Sequence, residues 1–153
     1  MNNSSDATFY VTETKLVVRR TYNAPAERVF QAWVDPVDLA KWFSPGPDWI
    51  VEVQKSDLRI GGEFKVTFGP KGEVPYLETG AYREITPPYR LSFLTTLHLE
   101  GALVSLTDCE ISFLDLGATT EVTLVETGGD REQAEQRAEG WGSTMDNLHR
   151  ALE

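Results

Sequence analysis

Few side chains in this sequence are suited to chemistry. His98, His149 and Cys109 are its only soft metal ligands, and a metal centre draws three or four His, Cys, Asp or Glu from recognisable spacings. No such grouping occurs, so neither a metal nor a cofactor is expected. A thiolate nucleophile needs a base beside it to lower its pKa. His98 sits one hairpin before Cys109, within conceivable reach, but Cys109 alternates with Thr107, Ile111 and Phe113 and reads as a small core hydrophobe. Gly61-Gly62 lacks the Lys-Ser/Thr of a phosphate loop and precedes a strand, so it reads as a bend or bulge. Asp57 and Arg59 beside it suit a turn-stabilising ion pair, with Arg59 reaching a ligand carboxylate as the alternative.

The polar groups able to act inside a fold of this kind are Tyr82, His98, Thr144 and, depending on register, Arg83 or Glu110. No two of them form an evident acid and base. His98 shares parity with Leu94 and Thr96, opposite to Phe93 and Leu97, and is expected to face outward. Catalysis is therefore not the leading expectation.

The elements that must position these groups follow from pattern. The chain has 153 residues, 41% hydrophobic and 25% charged, which fits one soluble domain of the usual roughly 100–200 residues. Its 14 Lys and Arg against 24 Asp and Glu leave a net charge of -10, unfavourable for nucleic acid. No apolar run approaches the about 18 residues of a spanning helix, and the sequence opens without a basic or apolar leader, so a cytoplasmic protein without membrane insertion is expected. Residues 1–13 read as a flexible N-terminal tail and 14–153 as the domain.

Lys15 to Tyr22 is β-branched and aromatic, a strand ended by Asn23-Ala24-Pro25. Asn23 or Pro25 then starts a helix carrying Val29, Phe30, Trp33 and Val34, and Asp35-Pro36 starts a second one carrying Leu39, Trp42 and Phe43. From Trp49 the period falls to two, and turn residues cut the chain into runs near 49–56, 61–68, 76–86, 90–99, 103–115 and 118–127. Seven strands result, antiparallel because the connections are short. After Gly128-Gly129 the helical period returns through Ala134, Ala138, Trp141, Met145, Leu148 and Leu152, giving a helix over about 130–152, roughly 34 Å long. Gly140 within it marks close packing or a ligand. This order implies an α+β layer in which a curved sheet grips one long helix and leaves an apolar cavity of about 300–1,000 Å³ between them.

Four regions of the sequence carry a resemblance. Arg20-Thr21-Tyr22-Asn23-Ala24-Pro25-Ala26-Glu27-Arg28-Val29-Phe30-Gln31-Ala32-Trp33, followed by Asp35-Pro36 and Lys41-Trp42-Phe43-Ser44-Pro45, resembles the opening of the family named for the activator of the heat-shock-protein-90 ATPase. Asp57 to Phe64, Gly80 to Leu91, and Gly140-Trp141 with Leu148 resemble its later landmarks in order. The resemblance implies the START-like, birch-pollen-allergen-like helix-grip fold, a scaffold shared by carriers, cyclases, receptors and co-chaperones. It implies a small hydrophobic or aromatic molecule as ligand, a chaperone as the partner its name suggests, and a monomer or homodimer. The expected function is a stand-alone ligand-binding domain. The alternatives are a cyclase- or hydrolase-type enzyme using the same cavity and a stress-related co-chaperone module. In such a fold Trp33, Phe43, Phe64, Tyr82, Phe93, Trp141, Thr144 and Met145 are the expected ligand-binding residues.

Overall fold

A computed structural model describes residues 7–12, 15–46 and 48–153. Eight strands form one antiparallel sheet: β1 (Thr8–Val11), β2 (Lys15–Tyr22), β3 (Trp49–Ser56), β4 (Glu63–Pro70), β5 (Tyr76–Thr86), β6 (Arg90–Leu99), β7 (Ala102–Asp115) and β8 (Thr120–Gly128). Their order across the sheet is β1-β2-β8-β7-β6-β5-β4-β3, so β1 and β3 are its two edges and the sheet does not close. Two short helices, α1 (Ala26–Val34) and α2 (Pro36–Trp42), join β2 to β3. A single 3-10 turn (Arg131–Gln133) leads into the long helix α3 (Ala134–Ala151). The α+β helix-grip layout expected from the sequence is present, with eight strands in place of seven.

The additional strand is β1. It lies within the stretch expected to be a tail, of which residues 1–6 and 13 fall outside the described residues. Its register against β2 runs from Thr8 opposite Arg19 to Val11 opposite Leu16, and the Ala7 N–H donates to Asp146 Oδ1 of α3 at 3.0 Å.

Local chemistry sets the helix starts. Asp35 Oδ1 accepts from the N–H groups of Val37 and Asp38 at 2.8 and 3.2 Å, and Pro36 occupies the first turn, where its missing donor is no loss. For α1 the cap position is Pro25 itself, in extended conformation and without a side-chain cap; Asn23 lies too far upstream to serve. The Trp42 indole N–H donates to Ala32 O at 2.9 Å and locks the two short helices together.

The long helix is fastened to the sheet by buried polar contacts as well as by its apolar face. The Tyr22 hydroxyl donates to Met145 O at 2.8 Å, and Arg20 Nη1 meets Asp146 Oδ1 at 2.7 Å. Asn147 Nδ2 donates to Ser44 O at 2.6 Å, which ties α3 to the loop after α2. Ala138, Met145 and Leu148 sit in the core with no exposed surface. Gly61-Gly62 forms a turn, as expected: Gly61 has φ +82, and a Cβ on Gly62 would stand 2.1 Å from Asp57 O. The expected Asp57–Arg59 ion pair spans that turn at 2.8 Å.

Candidate functional site in the sheet–helix cavity

Strand register arranges the inner face of the sheet in cross-strand rows. Val66, Glu78, Leu97 and Ser105 are successive partners in one row; Phe64, Gly80, Thr95 and Thr107 form the next; Tyr82, Phe93, Cys109, Glu126 and Leu16 the third; and Leu91, Ile111, Leu124 and Val18 the fourth. The first three rows mix polar and apolar side chains, and the fourth is wholly apolar. The apolar end is filled by its own side chains: Phe64 meets Phe93 edge-on at 5.2 Å and Tyr82 at 5.4 Å.

At the other end a cavity of about 430 Å³ lies between the sheet and the first half of α3. Helix α3 contributes the exposed Gln136 together with Arg137, Gly140, Trp141 and Thr144, and the 3-10 turn before it the exposed Gln133; the loop after α2 contributes Phe43, Ser44 and Pro45. The sheet closes the far side with Trp49, Phe68 and Tyr76 from the β3–β5 edge, Leu97 and Leu99 from β6, and Val104 and Ser105 from β7. A register shift opposite Leu97 and His98 sets both Val104 and Ser105 on the wall, the usual effect of a bulge on side-chain direction.

Aromatic rings form one connected wall. Trp141, backed by the core residue Trp33 at 6.2 Å, meets Phe43 edge-on at 5.9 Å; Phe43 meets Phe68 at 5.6 Å; Phe68, Tyr76 and Trp49 stack on one another at 5.6 to 6.3 Å. Offset and edge-on contacts of this kind fix ring positions beyond simple area burial, so the wall is preformed.

The floor is polar. Glu126, 4% exposed, accepts from Arg137 Nε through Oε1 and from the Trp141 indole N–H through Oε2, both at 2.9 Å. Arg137 also donates to Gly128 O at 2.9 Å and to Asp130 O, so this ion pair is closed on both sides. Glu78, 6% exposed, accepts from the Thr95 hydroxyl at 2.9 Å through Oε2. Among the described residues Oε1 of Glu78 makes no hydrogen bond and no cationic nitrogen pairs with the carboxylate. Burial pushes its pKa up to about 7, the Thr95 hydrogen bond opposing this and the charge of Glu126 adding to it.

Phe43, Trp141 and Thr144, three of the expected binding residues, line this cavity. Trp33, Phe64, Tyr82, Phe93 and Met145 lie in the packed core, off its wall, because interlocking rings leave no free volume at that end. Burial raises the Tyr82 phenol to about 12. Of the polar candidates, His98 lies between Leu97 and Leu99, both on the wall, and is not itself on it. Arg83 pairs with Asp108 at 2.8 Å and Glu110 with Arg90 at 3.1 Å, in ion pairs with exposed members. Cys109 faces Phe93 while His98 faces Leu103, far along the ladder. The thiol pKa is pushed well up by burial and by the nearby Glu126 and Glu78 carboxylates, the reverse of nucleophile activation. A Cβ on Gly140 would meet nothing within 4 Å, so packing within the chain does not require that glycine, and Gly140 borders the cavity.

Sequence reasoning missed Glu78, Thr95, Thr107, Glu126 and Arg137. The signal was parity: Glu78 is in phase with Tyr82, Thr95 with Phe93, and Glu126 with Leu124 and Val122, all of which point inward.

Three kinds of comparison bear on this geometry. The family model described as Activator of Hsp90 ATPase homolog 1-like protein matches residues 23–153. No functionally curated protein matches the sequence at a comparable level of significance. Among solved structures, a protein from Arthrobacter aurescens superposes with a TM-score of 0.84 at 22% identity, covering 95% of this chain and 90% of its own. Protein Ms6760 from Mycobacterium smegmatis gives 0.80 at 24% identity, with 97% and 96% covered. Protein CV1439 from Chromobacterium violaceum gives 0.79 at 25%, with 90% and 96% covered. These likenesses show the fold, and the family match spans nearly all of the described domain: the chain belongs to the Activator of Hsp90 ATPase homolog 1-like family.

Proposed function

We propose that this domain binds a small hydrophobic or aromatic molecule in the cavity between the sheet and α3, without transforming it. The observation that carries the reading is the cavity itself: about 430 Å³, within the range of small-molecule sites, walled by a connected set of aromatic rings and fitted with a few converging polar groups. Among the described residues no metal-binding cluster occurs and no helix is long and apolar enough to cross a membrane.

Native and denaturing mass spectra of the purified protein test this reading. The expected result is a non-covalent adduct of small mass that is lost on unfolding and absent from Thr144→Trp, in which an indole occupies the space beside Trp141. If no adduct is found and the wild-type cavity takes up no aromatic compound, the reading fails, and pull-down with the middle domain of Hsp90 tests the activity in the family's name.

Glu78 favours a second reading, an enzyme of the cyclase or hydrolase type. A buried carboxyl raised to about 7 is matched to proton transfer at neutral pH. This reading requires that Glu78→Gln abolish turnover of the bound molecule with little change in affinity, whereas a carrier changes affinity alone. Glu126 offers no evident second proton-transfer group, since Arg137 and Trp141 occupy both of its oxygens.

A further inference from the structure

The unpaired oxygen of Glu78 narrows the ligand class. A carboxylate removed from water loses strong hydration and is retained at low cost only when each oxygen finds a donor or a cation. In Glu78 one oxygen has the Thr95 hydroxyl and the other faces the cavity without a partner among the described residues. Thr95 has no donor to spare, since its single hydroxyl hydrogen is shared between Glu78 Oε2 and Thr79 O, at 2.9 and 3.0 Å. The other charged pair of the floor, Glu126 with Arg137, sums to zero. An ionised Glu78 thus gives the floor a net negative charge, and the stacked faces of Trp49, Phe68 and Tyr76 stand at the same cavity. Aromatic faces attract cations.

We propose that the ligand is an arylalkylamine, its ring held against the aromatic wall and its protonated aliphatic nitrogen donating to Oε1 of Glu78. This rests on the binding reading above and goes beyond it in naming the charged group recognised and the residue that recognises it. The chemistry is self-consistent in protons. The groups nearest Glu78 that carry or could carry charge are Glu126 from β8, Cys109 from β7 and, through Glu126, Arg137 from α3; β4 presents Val66 and β6 presents Thr95 and Leu97. None of these supplies a free cation, so the ligand ammonium is the group that favours the ionised form. With the free carboxyl titrating at about 7, binding near neutrality releases part of a proton.

The test compares three probes of one shape: 2-naphthylmethylamine, 2-naphthylmethanol and 2-naphthoate, titrated calorimetrically into the full chain at pH 7.5. The amine is expected to bind about tenfold tighter than the alcohol, as a charged hydrogen bond in place of a neutral one implies, and the carboxylate weakest. In Glu78→Gln, which keeps the shape of the side chain, the amine and alcohol should come within about twofold of each other while the alcohol is little changed. Alcohol binding equal to or tighter than amine in the wild type overturns the proposal and leaves the cavity reading standing. An amine preference that survives Glu78→Gln overturns the assignment to Glu78. Failure of all three probes to bind overturns both readings together.

Discussion

The two ends of the sheet's inner face are built from the same strands in the same alternation, yet one is a core and the other a site. At the core end Phe64, Tyr82, Phe93, Ile111 and Phe113 pack off the cavity wall; the inward positions that line the cavity hold Glu78, Thr95, Thr107 and Glu126, with Thr95 and Thr107 in the row of Phe64 and Glu126 in the row of Phe93 but nearer α3. The boundary is Gly80. A Cβ there would lie 2.4 Å from Phe64 Cζ and 2.7 Å from Leu94 O, so the missing side chain lets the Phe64 ring lie across β5 and seal the core. Past Gly80 the facing surface is Gln133 and the first half of α3 to Thr144, and the cavity between them and the sheet has a floor lined by carboxylates. Stability is concentrated at one end, and recognition can tolerate costly buried polar groups at the other.

The largest expected contrast comes from truncating one apolar side chain at each end. Phe93→Ala, in the packed end, should cost about 3–5 kcal/mol, since the aromatic contacts are lost and the hole cannot collapse. Leu97→Ala, four residues along the same strand but on the cavity wall, should cost less than about 1.5 kcal/mol, because that side chain already borders open space. Urea denaturation monitored by tryptophan fluorescence measures both. Equal losses would mean that the cavity end is as closely packed as the core, and the division between them would not hold.

Next in size is the pH response of Glu78. Its folded pKa of about 7 lies above the ordinary glutamate value of about 4.5, so between these values the folded state holds more proton than the unfolded one, and stability must fall as pH rises. The contribution is fully present below about pH 4.5, is lost progressively up to about pH 7 and changes no further above that, a difference of about 3 kcal/mol. Glu78→Gln has no such proton to lose. The free energy of unfolding of the wild type minus that of the variant should therefore drop by about that amount from pH 4 to pH 8. A flat difference would show that Glu78 is hydrated and that the cavity floor is not an apolar enclosure. At the core end Tyr82, raised to about 12, gives no titration across this interval.

The two ends also differ in how much of each was legible in the sequence. From Lys15 onward the strands and helices follow from turn residues and hydrophobic period, and the core end follows with them, since a large apolar side chain in phase with its neighbours has one sensible place to go. Strand β1 was missed because its stability is not local: Phe9 and Tyr10 remain 44% and 51% exposed, and what orders them is pairing with β2 and the Asp146 contact to Ala7, both remote in sequence. The floor of the site was missed for the opposite reason. Glu78 and Glu126 stand at inward positions, where a pattern judged by apolar residues treats a carboxylate as an interruption. That Phe43, Trp141 and Thr144 face the sheet–helix cavity was legible because each lies on or beside the apolar stripe of a helix. Which of the inward aromatics would line open space depended on how far α3 stands from the sheet, a property of the assembled fold that no single strand encodes.

The smallest effect sets the same two ends against each other through glycine. In a helix interior Ala is favoured over Gly by about 1 kcal/mol, and at Gly140 nothing lies within 4 Å of the added methyl group. Gly140→Ala should therefore stabilise the protein by up to about 1 kcal/mol. Gly80→Ala should destabilise it, because its methyl group meets the Phe64 ring and the Leu94 carbonyl, and the backbone cannot yield as a flexible side chain can. Thermal melts of the two variants give the signs directly. If Gly140→Ala raises the melting temperature while weakening 2-naphthylmethylamine binding, the glycine is kept for the room it leaves at the cavity. If it raises stability with binding unchanged, the opening beside Gly140 is not on the path the ligand takes, and the ligand's ring must lie deeper, between Trp141 and the Phe68–Tyr76 stack.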